Sequence, residues 1–218
     1  YEINKNSLNF SSIDKKKFNG YFDFKPFYLE ASFNYDGISA KDILKNDSIL
    51  IEIFKSEILN NENLNVNINL NVNNITNIDY LKDLKLKLNL DQGNITFSKS
   101  RVMWKDDLEI NLKEGLLNYD QNEILLIGKL VVNAKNIENF YKSFQIKKIH
   151  RKKIDKLEFD FVYNFYKNKF SFDNVKINNT SDAKLNQFID NFNSADKKFI
   201  NKISFKNFVN NFFSSYAG

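Results

Sequence analysis

Residues 63–73 read Asn-Leu-Asn-Val-Asn-Ile-Asn-Leu-Asn-Val-Asn. Leu64, Val66, Ile68, Leu70 and Val72 alternate with six asparagines. A β-strand sends successive side chains to opposite faces, so this spacing puts all five apolar residues on one side. A helix would scatter them around its axis. The stretch therefore predicts a strand in a sheet with one buried face and one wet face.

The rhythm continues outward from that strand. Leu84, Leu86, Leu88 and Leu90 alternate with Lys85, Lys87 and Asn89, and Asp91-Gln92-Gly93-Asn94 reads as a hairpin turn. Ile95 and Phe97 resume the apolar face, and Val102 and Trp104 follow in a separate strand after a polar break. Leu108, Ile110 and Leu112 form the next strand, with Glu114-Gly115 as a turn or bulge before Leu117 and Tyr119. Ile124 to Val132 is a longer apolar strand that contains Gly128. Leu157, Phe159, Phe161, Tyr163 and Phe165 make a bulky strand, and Phe170, Phe172, Val175 and Ile177 return from it.

Two places break the period of two. At 136–145, Asn136 can cap a short helix carrying Ile137, Phe140, Tyr141 and Phe144 on one face. At the C-terminal end, Leu185, Phe188, Ile189 and Phe192 make one helical stripe. Ser194 can start another helix with Phe208, Val209, Phe212 and Phe213 along it.

The predicted class is mainly β with flanking helices (α+β). Tight turns imply a curved antiparallel sheet with one apolar face. It is organised as an irregular strand and helix portion over 1–60, a sheet with one helix insertion over 61–180, and a helical tail over 181–218. In the first portion a strand is expected from Tyr28 to Tyr35, closed by Asp36-Gly37, with helical turns over 39–45 and 47–54. The chain of 218 residues fits one domain or a segment of a longer β-rich protein.

Composition removes several functions. There is no cysteine, one proline (Pro26) and one histidine (His150). Disulfide frameworks, thiolate metal sites, iron–sulfur sites and cysteine nucleophiles are excluded, as is a histidine cluster for a metal. No metal and no cofactor is expected. Asparagine fills 36 positions and lysine 30 of the 32 basic ones, a bias that follows A/T-rich codons. The sequons at Asn74-Ile75-Thr76 and Asn94-Ile95-Thr96 follow from that bias. The net charge of +5 is mild and does not make the stripe that nucleic acid needs.

The one basic concentration is Lys147, Lys148, Arg151, Lys152 and Lys153, with Lys156 beyond Asp155. Such a cluster attracts anionic surfaces, lipid head groups included, and it also suits a solvated turn. His150 sits inside it, where neighbouring positive charge opposes a second cation. Asp106, Asp107, Glu109, Glu158 and Asp160 are the only carboxylate groupings of catalytic interest. Glu109, Glu158 and Asp160 alternate with apolar neighbours, so they face water rather than a cleft. No GxGxxG, P-loop, HExxH, CxxC or GxSxG pattern occurs. The chain reads as a non-enzyme, and no run of 18 apolar residues spans a membrane.

The stretch LKLNLDQGNITFSKSRVMWKDDLEINLKEGLLNYDQNEILLIGKLVVNAKNIENFYKSFQI, residues 86–146, carries, with the preceding Leu84-Lys85, a resemblance. With the strands that follow it to residue 177, it resembles the C-terminal region of the AsmA family of bacterial envelope proteins. The matching pieces are the strand–glycine–strand unit around Gly93, the strand with Gly128, the Phe140-Tyr141 helix and the strand from Phe159 to Phe165. The resemblance implies a periplasmic protein attached to the inner membrane through a segment outside this chain. It also implies an apolar β-groove associated with outer-membrane assembly and phospholipid movement.

Two readings follow. In the first, acyl chains bind an open groove lined by Leu64, Val66, Ile68, Leu70, Leu84, Leu86, Leu88, Leu108, Ile110, Leu157, Phe159 and Phe161, with the basic run touching anionic head groups. In the second, the same residues are the closed core of a structural β-domain that serves as a surface or interaction module.

Overall fold

The computed structural model describes residues 2–4, 7–13, 17–39, 61–76, 80–120, 123–195 and 202–217. The fold is mainly β with flanking helices. Thirteen strands form one sheet: β1 (Glu2–Asn4), β2 (Ser7–Ser11), β3 (Phe18–Phe24), β4 (Phe27–Ser39), β5 (Leu64–Thr76), β6 (Leu81–Asp91), β7 (Asn94–Phe97), β8 (Ser100–Trp104), β9 (Leu108–Asp120), β10 (Glu123–Ala134), β11 (Lys156–Asn164), β12 (Lys169–Ile177) and β13 (Thr180–Ser181). Neighbours follow chain order, as tight hairpins require. β7 and β8 lie end to end in one slot, each pairing with both β6 and β9.

The sheet is mixed rather than purely antiparallel. β4 runs parallel to β5, with Leu29 opposite Val66 and Ala31 opposite Ile68. Hairpin turns cannot make that pairing, and the chain between the two strands holds no tight-turn signal, so local sequence did not reveal it. The first 39 residues are also more regular than expected, with β1–β4 forming a meander. β4 runs through Asp36-Gly37 to Ser39 instead of ending there. The helical turns expected over 40–45 and 47–54 lie outside the described residues.

Strand alternation is reset three times by bulges. The pairing steps from Lys82–Met103 to Lys85–Arg101, from Ile127–Leu116 to Lys129–Lys113, and from Glu158–Lys176 to Asp160–Asp173. Beside the steps, Asp83, Glu114 and Asn174 hold φ of 51°, 55° and 51°. An extra residue in a strand shifts the side-chain parity by one. Leu81 and Leu84 therefore share a face, as do Leu112 and Leu117, and Phe172 and Val175. One apolar face thus runs unbroken from β2 to β12.

At the second bulge two glycines meet. A Cβ on Gly128 would lie 3.0 Å from Leu112, 3.2 Å from the Gly115 Cα and 3.3 Å from the Phe161 ring. Only hydrogen leaves room for the strands to approach there. Near the other end, Phe10 lies across its cross-strand partner Gly20, covering the backbone that the glycine exposes.

Three helices pack on the apolar face over the C-terminal strands: α1 (Ile137–Phe144), α2 (Ala183–Ser194) and α3 (Lys202–Ala217). Asn136 caps α1, its side chain accepting from the Asn139 N–H at 3.1 Å. Asp182 caps α2 in the same way through Leu185 at 3.0 Å. Each satisfies an otherwise unpaired first-turn donor. α2 ends at Ser194, where the sequence suggested a start, and α3 begins at Lys202. The stripes of both helices point inward, with Leu185, Ile189, Phe192, Val209, Phe212 and Phe213 buried.

Candidate functional site

The apolar face divides into two regions. Beneath the helices, Leu108, Ile110, Leu157 and Phe159 join the main core with Trp104, Tyr141, Val175 and Ile177. Trp104 stacks on Tyr80 at 4.0 Å between ring centroids and has Phe140, Phe144 and Phe205 within 5.8 Å. Its Nε1 is buried with no hydrogen-bond partner. Tyr141 is fully buried and donates to the Lys152 carbonyl at 2.7 Å. That burial pushes its hydroxyl pKa well up, so it stays a neutral donor.

This region encloses a cavity of about 300 Å³. Its wall combines Trp104, Leu130 and Phe159 of the sheet with Ile189, Phe208 and Val209 of the helices. Every lining side chain is hydrocarbon apart from the indole N–H of Trp104. A pocket of this size and polarity accepts hydrocarbon and offers water few partners.

In the second region, Leu64, Val66, Ile68 and Leu88 pack with Leu90 and Ile95 in a smaller cluster. Leu70 lies opposite Leu86, and Val72 opposite Leu84, on the same face. Phe27 and Leu29 of β4 join them, as does Leu117. Among the described residues, every hydrophobic neighbour of this cluster comes from the strands themselves. Leu64, Ile68, Leu70, Leu84, Leu86 and Leu88 are partly buried, as are Ile110, Leu157 and Phe159 under the helices, whereas Leu108 and Ile189 are buried. Phe161 is buried at the glycine seam between the two regions, with Phe170 beside it.

The wet face carries the asparagines. Asn71 donates to Asn34 at 2.8 Å, Asn73 to Asp36 at 3.3 Å and Asn89 to Ser98 at 3.0 Å. Farther along the same face, Glu109 accepts from Asn111 at 3.1 Å and meets Lys135 at 3.4 Å and Arg101 at 3.9 Å. The Asn111 hydrogen bond, with the Lys135 and Arg101 charges, holds the Glu109 carboxyl below its ordinary range. Glu158 is lowered in the same way by Lys156 at 2.6 Å. These are surface ion pairs, and no group of three or more His, Asp or Glu side chains poised for a metal occurs among the described residues.

The basic run follows α1 and contains a single 3₁₀ turn, Lys148–His150. Arg151 folds back, its Nε donating to the Ile146 carbonyl at 3.0 Å and its guanidinium meeting Glu138 at 3.6 Å. Lys152 donates to the Tyr216 carbonyl at 3.1 Å and lies 4.9 Å from the Tyr216 ring centroid. Both side chains thereby pin the segment to α1 and α3. Lys147, Lys148 and Lys153 are exposed, the last with Asp155 at 3.9 Å.

The strand from Tyr28 to Tyr35 was expected, and Phe27, Leu29, Ala31, Phe33 and Tyr35 alternate as clearly as residues 64–72. Its place beside β5, which adds Phe27 and Leu29 to the strip, was not expected. The Phe208–Val209–Phe212 stripe was legible as a helix, but the surface it would cover is a long-range fact. Among the described residues no helix is long and apolar enough to cross a membrane. Comparison of the chain with protein-family models, with curated proteins and with solved structures finds no match.

Proposed function

We propose that this chain is a non-enzymatic acyl-chain carrier, an envelope-assembly or phospholipid-transfer segment that works through its apolar β-face. The observation that carries this reading is the uneven cover of that face. Partly buried Leu64, Ile68, Leu70, Leu86 and Leu88 form a contiguous apolar strip whose hydrophobic neighbours among the described residues are strand residues, beside a core that α1–α3 cover. Contiguous apolar surface on a soluble face marks an interaction or ligand site. Apolar area gives affinity for acyl chains with little head-group selectivity. The resemblance of residues 84–177 to the AsmA family supplies the setting: the periplasm, with attachment to the inner membrane through a segment outside this chain. Phospholipid is then the ligand class.

Incubation with vesicles containing fluorescent phospholipid, followed by gel filtration, tests the reading. Lipid should elute with the protein, and Ile68→Asp with Leu88→Asp should reduce it about tenfold or more by placing charge on the strip. Protein that elutes free of lipid would count against the carrier.

The competing reading is a structural β-domain with a closed core that serves as an interaction module. The burial of Leu108, and the packing of Leu157 and Phe159 against the core that α1–α3 share, favours it for the C-terminal region. A chain that takes up no lipid yet unfolds in one cooperative step with full protection of the strip would support that alternative.

A further inference from the structure

The fold makes the cavity under the helices a neighbour of the basic run. Ile154 lines the cavity and is 4% exposed. It directly follows Arg151, Lys152 and Lys153. Ile137 lines the cavity too, and the next residue, Glu138, is the ion-pair partner of Arg151. Lys152 is fixed to the C-terminal turn of α3, whose Val209, Phe212 and Phe213 form another wall. The segment that leads into this wall therefore carries Lys147, Lys148, Arg151, Lys152 and Lys153 against two acids, Glu138 and Asp155. The interior beyond it has no polar side-chain group apart from the Trp104 indole N–H.

An interior that takes hydrocarbon and an adjoining segment that favours anions are complementary to one chemical class. We infer that the cavity binds a single-chain anionic amphiphile, with its acyl chain among Trp104, Phe159, Ile189 and Val209 and its head group at Lys147, Lys148 and Lys153. A carboxylate and a phosphate monoester share this chemistry. Volume favours one chain: about 300 Å³ lies at the small end of ligand pockets, which run from about 300 to 1,000 Å³. The inference rests on the acyl-chain reading of this face but concerns the covered region, whereas the carrier reading rests on the strip over β4–β7.

Trp104 is the sole tryptophan and lines the cavity, so its emission reports occupancy directly. The full chain is titrated with dodecanoate, dodecyl phosphate and dodecanol, each below its micellar concentration. Both anions should give saturable emission changes and bind about tenfold more tightly than dodecanol, the scale of one to two charge contacts at an exposed segment. Ranking the two anions then separates a carboxylate head from a phosphate head. Charge reversal at Lys147, Lys148 and Lys153 together should erase the advantage of the anions and leave dodecanol binding unchanged. Val209→Phe and Leu130→Phe, made separately and checked for native circular dichroism, should each weaken all three ligands.

No saturable response to any ligand overturns the inference, as does equal affinity for anions and alcohol in the unmodified chain. Co-elution of vesicle phospholipid is scored separately. Lipid uptake without a Trp104 response sinks the cavity site alone, and a Trp104 response without uptake sinks the carrier reading alone.

Discussion

Two regions of one sheet use the same apolar face differently. Over β8–β12 that face is roofed by α1–α3, and Tyr141, Val175 and Leu185 are all but inaccessible. Over β4–β7 the corresponding residues, Leu64 to Leu70 and Leu84 to Leu88, are partly buried apart from the buried Val66, and their hydrophobic neighbours among the described residues are strand residues. The strands hardly differ in pattern between the regions. Among the described residues, what differs is whether a helix with a matching stripe lies on top. The same alternation therefore makes a helix-covered core in one region and a strip of strand residues in the other.

The strongest way to break this comparison is to truncate one side chain in each region. Leu185→Ala, fully buried, should cost about 3 kcal/mol by losing packing and leaving a void. Ile68→Ala should cost about 1 kcal/mol, because a partly buried side chain gives up less buried area. Urea midpoints measure both, and equal losses would mean that the strip is as much core as the roofed region.

The seam offers the next test. Gly128→Ala places a methyl against Leu112, the Gly115 backbone and Phe161, and should destabilise by about 2 kcal/mol through overpacking. Hydrogen exchange should show β9–β11 loosening before β4–β6. Loss confined to β4–β6 would put the boundary elsewhere.

Removing the α1 cap sharpens the role of the roof. Asn136→Ala leaves the Asn139 N–H without its acceptor and should cost about 1 kcal/mol. Exchange should rise in α1 and at Trp104 beneath it, with the strip unchanged.

The smallest effect is one of pH. The pKa values of Glu109 and Glu158 are depressed by their hydrogen-bonding and charged partners below the ordinary 4.5. Their contribution is complete above that value and fades as pH falls through the lower folded-state values. Stability between pH 6 and 3 should therefore decline, and Glu109→Gln should flatten part of the decline. The Asn71–Asn34 and Asn89–Ser98 pairs over β4–β7 have no group for acid to protonate, so acid should loosen β9–β11 first. Uniform loosening would contradict the regional difference.

Much of this was legible in the sequence, for a physical reason. Strand alternation, the turn at Gln92-Gly93 and the cap Asn136 are local, and local rules describe them. Of the bulges, only Glu114-Gly115 was expected; the one at Asn174, where the apolar residues pass from even Phe170 and Phe172 to odd Val175 and Ile177, and the Asp182 cap were not. The parallel β4–β5 pair was not legible, because no turn ties the two strands together. The candidate site was half legible. Leu64 to Leu88 were assigned to a groove together with Leu108, Ile110, Leu157 and Phe159, and one face does carry them all. Which of them a helix covers depends on where α2 and α3 dock, and strand pattern carries no information about that. Arg151 and Lys152 likewise read as free cations until the fold tied them to Ile146, Glu138 and Tyr216.

The central claim is that the apolar strip of β4–β7 takes acyl chains while the asparagine face does not. A photoreactive residue placed singly at Val66, Ile68 and Leu70, and at Asn67 and Asn69 as outward controls, tests it in cells. Lipid adducts at the three inward positions and none at the two outward ones are the expected result. No lipid adduct at any inward position, or equal adducts on both faces, would contradict the account.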